Sequence, residues 1–326
     1  MHLSHYLEMF EYIDYQTIYT VGKRWFIFGT ASAFPTTLFY DAPFGRFSTP
    51  DSALALDGIK SWMFMELVSP ATFLITAAIH PFSSKSFPVP LVNSSTIEPQ
   101  ALLTGLYLIH YLNRAILSPL RTPSRSKSHV AVTAAASCFN VFNGFLLGAY
   151  LSSSRTAAYL SNAYSSPRFW IGILLWIVGL AGNIAHDEIL LNIRRKSKAK
   201  GKEKEGSRPG EHYAIPQGGL YRYISYPNYF CEWVEWIGFA LAASPPPSAN
   251  ALPTLHTVIT AVRESPLAGL ARVFTPFVDS FSAPWAFMFA EVAVMMPRAI
   301  RGHQWYHDRF NGTYPRERRV VIPFLF

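Results

Sequence analysis

Charge is what this sequence has least of. Only 15% of its 326 residues are Asp, Glu, Lys or Arg, against 50% hydrophobic and 15% aromatic, which excludes an ordinary soluble domain and points to a polytopic membrane protein. Cysteine is nearly absent as well. Cys138 and Cys231 both fall in apolar stretches, which excludes a disulfide framework and a cysteine metal site. The opening MHLSHYLEMFEYIDYQ lacks a basic segment followed by a short apolar core, so no cleaved signal peptide is read and the first span is expected to act as anchor. No His, Cys, Asp and Glu set has a familiar metal spacing, and Gly218-Gly219 alone is a weak sign of a phosphate loop, so no metal is expected. There is no internal repeat, and nothing calls for a nucleic-acid partner or an obligate protein partner.

What is present is a series of apolar stretches. They run over about 17 to 40, 58 to 80, 100 to 120, 130 to 152, 168 to 191, 226 to 244 and 282 to 300, each long enough to cross a hydrocarbon core of about 30 Å at roughly 1.5 Å per residue. The expected fold is therefore all-α, a membrane bundle of about seven transmembrane helices. Residues 245 to 281, with SPPPSANALP and the charges Arg263, Glu264 and Arg272, are expected to form a loop with a short surface helix. The loop RRKSKAKGKEKEGSR at 194 to 208 holds eight Lys or Arg against Glu203 and Glu205, which puts it in the cytosol by the positive-inside rule. The same topology sends Arg121, Arg125, Lys127 and the basic C-terminus to the cytosol, and Glu8, Glu11 and Asp14 to the other side. Asn93 then falls in a lumenal loop as a glycosylation acceptor.

Polar groups inside these stretches mark the candidate site, because each is costly in lipid unless partnered. In 215 to 241, IPQGGLYRYISYPNYFCEWVEWIGFAL, a turn and an aromatic ramp lead into a helix on which Asn228, Glu232 and Glu235 share one face. The alternative is a helix end in the headgroup region with wetted carboxylates, which Tyr229, Trp233 and Trp236 would suit. On the third stretch Tyr111, Arg114 and Ser118 stand at i, i+3 and i+7, with Arg121 a turn further along. On the fifth, Asn183 and Asp187 are one turn apart and Arg194 follows; on the second, Glu66 precedes Ser69 and Pro70. Arg114 is expected to point inward and meet a carboxylate. Arg114 with Glu66, or Asp187 with a basic neighbour, also fits a purely structural pair; Arg194 fits a snorkelling residue; His186 reads as a packed or hydrogen-bonded histidine rather than a ligand.

Taken together in order, these pieces resemble a known family. IPQGGLYRYISYPNYFCEWVEWIGFALA is similar to the C-terminal signature of the steroid 5-alpha-reductases, membrane enzymes that reduce an enone double bond with NADPH. DAPFGRF at 41 to 47, Glu66 before Ser-Pro, HYLNRAILSPLR at 110 to 121, NIAHDEIL at 183 to 190, HQWYHDRF and YPRERRVVIPFLF follow the same order. The resemblance implies one domain over 1 to 326, with substrate-side spans in 1 to 160 and an NADPH-binding part in 161 to 326. It implies that Glu66 and Tyr111 hold the substrate carbonyl, the tyrosine hydroxyl being held by a carboxyl group. Arg114, Ser118, Met65 and Trp236 would lie near the substrate. It further implies that Arg121, Asn183, Asp187, Arg194, Tyr213, Asn228, Glu232, Arg298, His303 and Tyr306 line the NADPH site. The implied partners are the bilayer, expected to be that of the endoplasmic reticulum, and a hydrophobic enone lipid.

Three positions depart from the family pattern. Met65 stands where steroid-reducing members tend to carry Gln, Ser118 where Tyr is common, and Ala214 where a basic residue is usual. Other readings are a trans-2-enoyl thioester or polyprenal reductase, a membrane methyltransferase using S-adenosylmethionine, suggested by GLYRY before Pro-Asn-Tyr, and a non-enzymatic lipid-binding protein.

Overall fold

A computed structural model of the chain describes residues 14 to 49, 51 to 82, 97 to 201 and 214 to 326. Tyr213, Asn93, Glu8 and Glu11 lie outside these residues.

Helices occupy all seven apolar stretches. They are α1 (Tyr15–Phe39), α2 (Gly58–Ile79), α3 (Pro99–Tyr111), which runs through a π-helical turn (Leu112–Leu117) into α4 (Ser118–Arg121), α5 (Val130–Leu151), α7 (Pro167–Gly201), α8 (Pro227–Ala243) and α11 (Ala283–Phe310). A short α6 (Ser154–Leu160) follows α5. Among the described residues, three helices are long and apolar enough to cross a membrane: α2, α5 and the Pro167–Ser197 part of α7. The only strands among the described residues, Ala55–Leu56 and Ser128–His129, pair antiparallel and tie the start of α2 to that of α5. Residues 245 to 281 contain one helix more than expected, α9 (Leu255–Glu264) and α10 (Pro266–Asp279). Pro266 lacks the N–H that a first helical turn leaves unused, so it opens a second helix instead of ending the first.

Helix starts are written into the chain. Asp57 caps α2 by accepting from the backbone N–H groups of Ile59 and Lys60, and Asp14 caps α1 through Thr17. Small residues then set how closely helices approach. A Cβ on Gly179 of α7 would lie 2.3 Å from the Glu235 nitrogen of α8, and one on Gly238 would lie 2.5 Å from the Gly172 oxygen. The α7–α8 pair therefore packs backbone to backbone, as glycine faces allow where lipid offers no hydrophobic drive. Gly144 of α5 lies equally tightly on the Ser69 carbonyl of α2. Helix α1 is clamped by Lys23, whose Nζ donates to the Asp279 and Phe281 carbonyls at 3.0 and 2.7 Å. The aromatic core runs from Phe73 and Tyr107 to Trp236 and Phe287.

Candidate active site

Between α1, α2, α3, α5, α7, α8 and α11 lies a cavity of about 1180 Å³. This exceeds the roughly 300–1,000 Å³ usual for one ligand, so there is room for a large and a small molecule together. Its floor is polar, its mouth is basic, and an apolar lobe runs along Ala33, Ala136, Phe139 and Phe287.

The floor is organised by Arg114. Pro119 has no N–H to close the helical turn before it, and the chain widens into the π-turn that carries Arg114. The Arg114 Nε donates to Glu66 at 3.2 Å, and its Nη1 meets a Glu232 oxygen at 3.1 Å. One guanidinium thus joins α2 to α8, with Glu66 and Glu232 8% and 2% exposed at the side chain. Asn183 of α7 donates to the Asn228 carbonyl at 3.0 Å and to Glu232 at 3.3 Å, and Asn228 donates to Asp187 at 3.0 Å. Beside this set the Asn143 amide donates both to the Tyr111 hydroxyl oxygen (2.8 Å) and to Ser69 (2.9 Å), and Ser69 bonds Tyr107 at 2.7 Å. Asparagine, not a carboxyl group, makes the hydrogen bond to Tyr111; Glu66 is engaged by Arg114.

The mouth is built from loops and helix ends. Arg125 stacks over Trp62 at 3.6 Å, on the ring whose N–H donates to the Arg114 carbonyl. Burial and the nearby charge of Arg194 push Arg125 down to about 9. A cation held there at a cost favours an anion as neighbour. Arg46 lies over the Tyr306 and Trp305 rings at 4.6 and 4.7 Å, and Arg298 over Phe44 at 3.6 Å. The residues present thus fit a molecule with phosphates at one end and a polar ring at the other, since guanidinium groups suit phosphate and an amide with carboxylates suits a carboxamide. His186 fixes the wall behind. Its Nε2 accepts from the Leu220 N–H at 2.9 Å, so its Nδ1–H donates to the Gly182 carbonyl at 2.6 Å. That bond holds the turn at Gly218 and Gly219, whose φ values of 98° and 50° favour glycine.

Of the residues singled out in the sequence, Met65, Glu66, Tyr111, Arg114, Ser118, Asn183, Asp187, Arg194, Asn228, Glu232, Arg298 and Tyr306 line this one cavity. Three stand outside its lining. Trp236 is 1% exposed and packed against His110 and Phe287. Arg121, beyond the π-turn that breaks the helical spacing, pairs with Glu188. His303 meets Ser225 at 2.6 Å, and burial and the adjacent His307 bring it down to about 4; it lies beyond the apolar stretch 282 to 300. Sequence reasoning passed over Asn143, Arg125 and Glu291. It also missed the pairing of Glu235 with His110, whose Nδ1 lies 2.7 Å from a Glu235 oxygen. The signals were there, with Asn140 and Asn143 one turn apart in an apolar run and Glu291 in FAEVAVMM.

Buried acids, amides and arginines converge on one cavity inside apolar helices, which is the arrangement of a functional site rather than of an inert bundle. The family profile described as 3-oxo-5-alpha-steroid 4-dehydrogenase matches residues 126 to 263 and 273 to 326. The chain is 35% identical over 327 residues to an uncharacterized protein of Schizosaccharomyces pombe, covering 97% of this chain and 98% of that one. It is 31% identical over 286 residues to 3-oxo-5-alpha-steroid 4-dehydrogenase 1 of Bos taurus, covering 87% and 88%, and 31% over 302 residues to a steroid 5-alpha-reductase of Solanum lycopersicum, covering 90% and 93%. The chain belongs to the 3-oxo-5-alpha-steroid 4-dehydrogenase family, a family of oxidoreductases.

Proposed function

We propose that this protein reduces the carbon–carbon double bond of an enone lipid with NADPH, a 3-oxo-delta-4 steroid giving the 5-alpha-reduced 3-oxosteroid. The observation that carries the reading is the floor of the cavity. Tyr111 accepts from Asn143 there, which leaves its own O–H to donate to a carbonyl oxygen, and Arg114 with Glu66 lies beside it. Bound NADPH would supply a hydride to the carbon beta to the carbonyl. Negative charge then grows on the carbonyl oxygen, and a donor fixed in advance in a dry site lowers that barrier most. Asn228 and Glu232, with Asn183 behind them, would orient the nicotinamide carboxamide. Arg194 and Arg125 would take phosphates arriving from the cytosol. The apolar lobe would receive the lipid from the bilayer.

The same reading assigns seven spans, a cytosolic C-terminus and residence in the endoplasmic reticulum. It divides the chain into substrate-side spans over 1 to 160 and a cofactor part over 161 to 326. A trans-2-enoyl thioester or polyprenal is the second reading of the substrate, favoured by Met65, which removes a polar contact beside Glu66, and by Ser118, which enlarges or re-polarises the pocket, relative to the family pattern.

The test is NADPH consumption in membranes containing the protein, supplied with a 3-oxo-delta-4 steroid. Turnover is expected, with Glu66→Gln and Tyr111→Phe losing it while still binding NADPH. Turnover with enoyl thioesters or polyprenals alone would change the substrate. Binding of S-adenosylmethionine in place of NADPH would sink the reductase reading.

A further inference from the structure

The acidic groups lining the cavity can be paired off one by one. Glu66 and Glu232 share Arg114, Asp187 accepts from Asn228, and Asp41 accepts from Arg301 at 2.6 Å. Glu235, on the next turn of α8, bonds His110. Glu291 is left over. It lines the same cavity from α11, it is only 8% exposed, and among the described residues nothing donates a hydrogen bond to it or forms an ion pair with it. It is nevertheless central, within electrostatic reach of Tyr111, Arg114, Glu66 and Glu232.

Arg114 is already shared by Glu66 and Glu232, and a carboxylate buried with no ion pair of its own is far costlier than the neutral acid at the same place. Glu291 is therefore suited to hold a proton, and it lines the same cavity as the tyrosine proposed to bind the carbonyl. Enone reduction needs such a proton. Hydride addition brings one hydrogen and two electrons to the beta carbon, and the alpha carbon must still gain H⁺. Tyr111 is engaged at the carbonyl oxygen.

We propose that Glu291 is the acid that protonates the alpha carbon. Its O–H bond breaks, the electron pair of the enolate forms the new C–H bond, the carbonyl is restored, and the carboxylate left behind is reprotonated by the solvent H⁺ that the overall reaction consumes, relayed by water from the basic mouth. This inference rests on the reductase reading above and adds a catalytic residue to it.

Two measurements on the full chain test it. Infrared spectra of the ligand-free protein are expected to contain the C=O stretch of a protonated carboxyl that Glu291→Gln removes. Single-turnover reduction by Glu291→Gln is expected to slow by about 10²- to 10⁴-fold, the usual contribution of a positioned acid. NADPH affinity should stay within about threefold of the native value, the solvent deuterium isotope effect should increase, and Glu291→Asp should recover part of the rate. An unchanged infrared spectrum, or Glu291→Gln turning over within about threefold of the native protein, overturns the proposal. If Glu291→Gln does not fold, Glu291→Asp decides: a native rate and isotope effect overturn the proposal, and a slowed rate with a larger isotope effect supports it. A native protein that turns over no enone defeats the reductase reading itself, a result distinct from all of these.

Discussion

Replacing Arg114 by methionine keeps an unbranched, flexible apolar stem and removes the one cation between Glu66 and Glu232. At an effective dielectric near 20, a pair about 3.2 Å apart attracts by about 5 kcal/mol, and Arg114 makes two such contacts, at 3.2 and 3.1 Å. Most of that attraction offsets the cost of burying the charges, so the quantity to estimate is the cost of leaving carboxylates unpaired, about 3–5 kcal/mol when one partner of a buried pair is deleted. Two carboxylates are abandoned here, but each can take up a proton, which caps the total. We expect Arg114→Met to cost about 4 kcal/mol, equivalent to roughly 6 °C of melting temperature for a chain of this size. Adding Glu66→Gln and Glu232→Gln removes the orphaned charges and should recover at least half of the loss. The assay is thermal unfolding of detergent-purified protein, with NADPH binding as a second readout. A loss below about 1 kcal/mol, or a triple variant no more stable than the single one, would refute the picture of a shared buried guanidinium.

Two further outcomes test other parts of the structure. Gly179→Ala adds a methyl 2.3 Å from the Glu235 nitrogen, whereas Gly105→Ala on α3 meets nothing within 4 Å; the first should cost about 1–3 kcal/mol by overpacking and the second should gain up to about 1 kcal/mol of helix propensity, a difference of sign that thermal melts will read. His303 is held near 4 in the fold against about 6.5 unfolded, so between those values the unfolded chain binds more protons and stability must fall as pH is lowered from 6.5 to 4. Discounted for the solvent around a half-buried ring, the loss is at most about 2 kcal/mol. Unfolding midpoints measured across that range should be flatter in His303→Gln.

How much of this was readable in the sequence follows from the range of the forces involved. Hydrophobic stretches and helix caps are local, and every apolar stretch became a helix, with Asp57 and Asp14 at the caps where short polar side chains belong. A buried charge declares that it needs a partner, so Arg114 could be expected to find a carboxylate. Its choice of both Glu66 and Glu232 depended on the crossing angle of helices far apart in sequence. The π-turn depends on how Pro119 is accommodated, and the spacing rule that grouped Arg121 with Arg114 assumes an unbroken α-helix. Trp236 failed as a lining residue because an aromatic on a polar helix face can equally be packing, and only the neighbours Phe287 and His110 decide which. Asn143 and Glu291 carried the same signal as Asn183 and Glu66, a polar group in an apolar run, but which of these groups reaches the site depends on packing between helices far apart in sequence.

Helix α7 is 35 residues long, about 52 Å at 1.5 Å per residue, against a hydrocarbon core of about 30 Å. More than a third of its length therefore exceeds the thickness of the core, and its C-terminal part carries Arg194 in the lining of the cavity. Under the function proposed above, with Arg194 toward the cytosol and the apolar lobe toward lipid, the surface between oil and water would cut through the reaction chamber itself. On that reading one reactant would be counted per litre of cytosol and the other per area of membrane, so diluting the protein with extra lipid should slow turnover even when the amounts of enzyme, enone lipid and NADPH in the tube are unchanged.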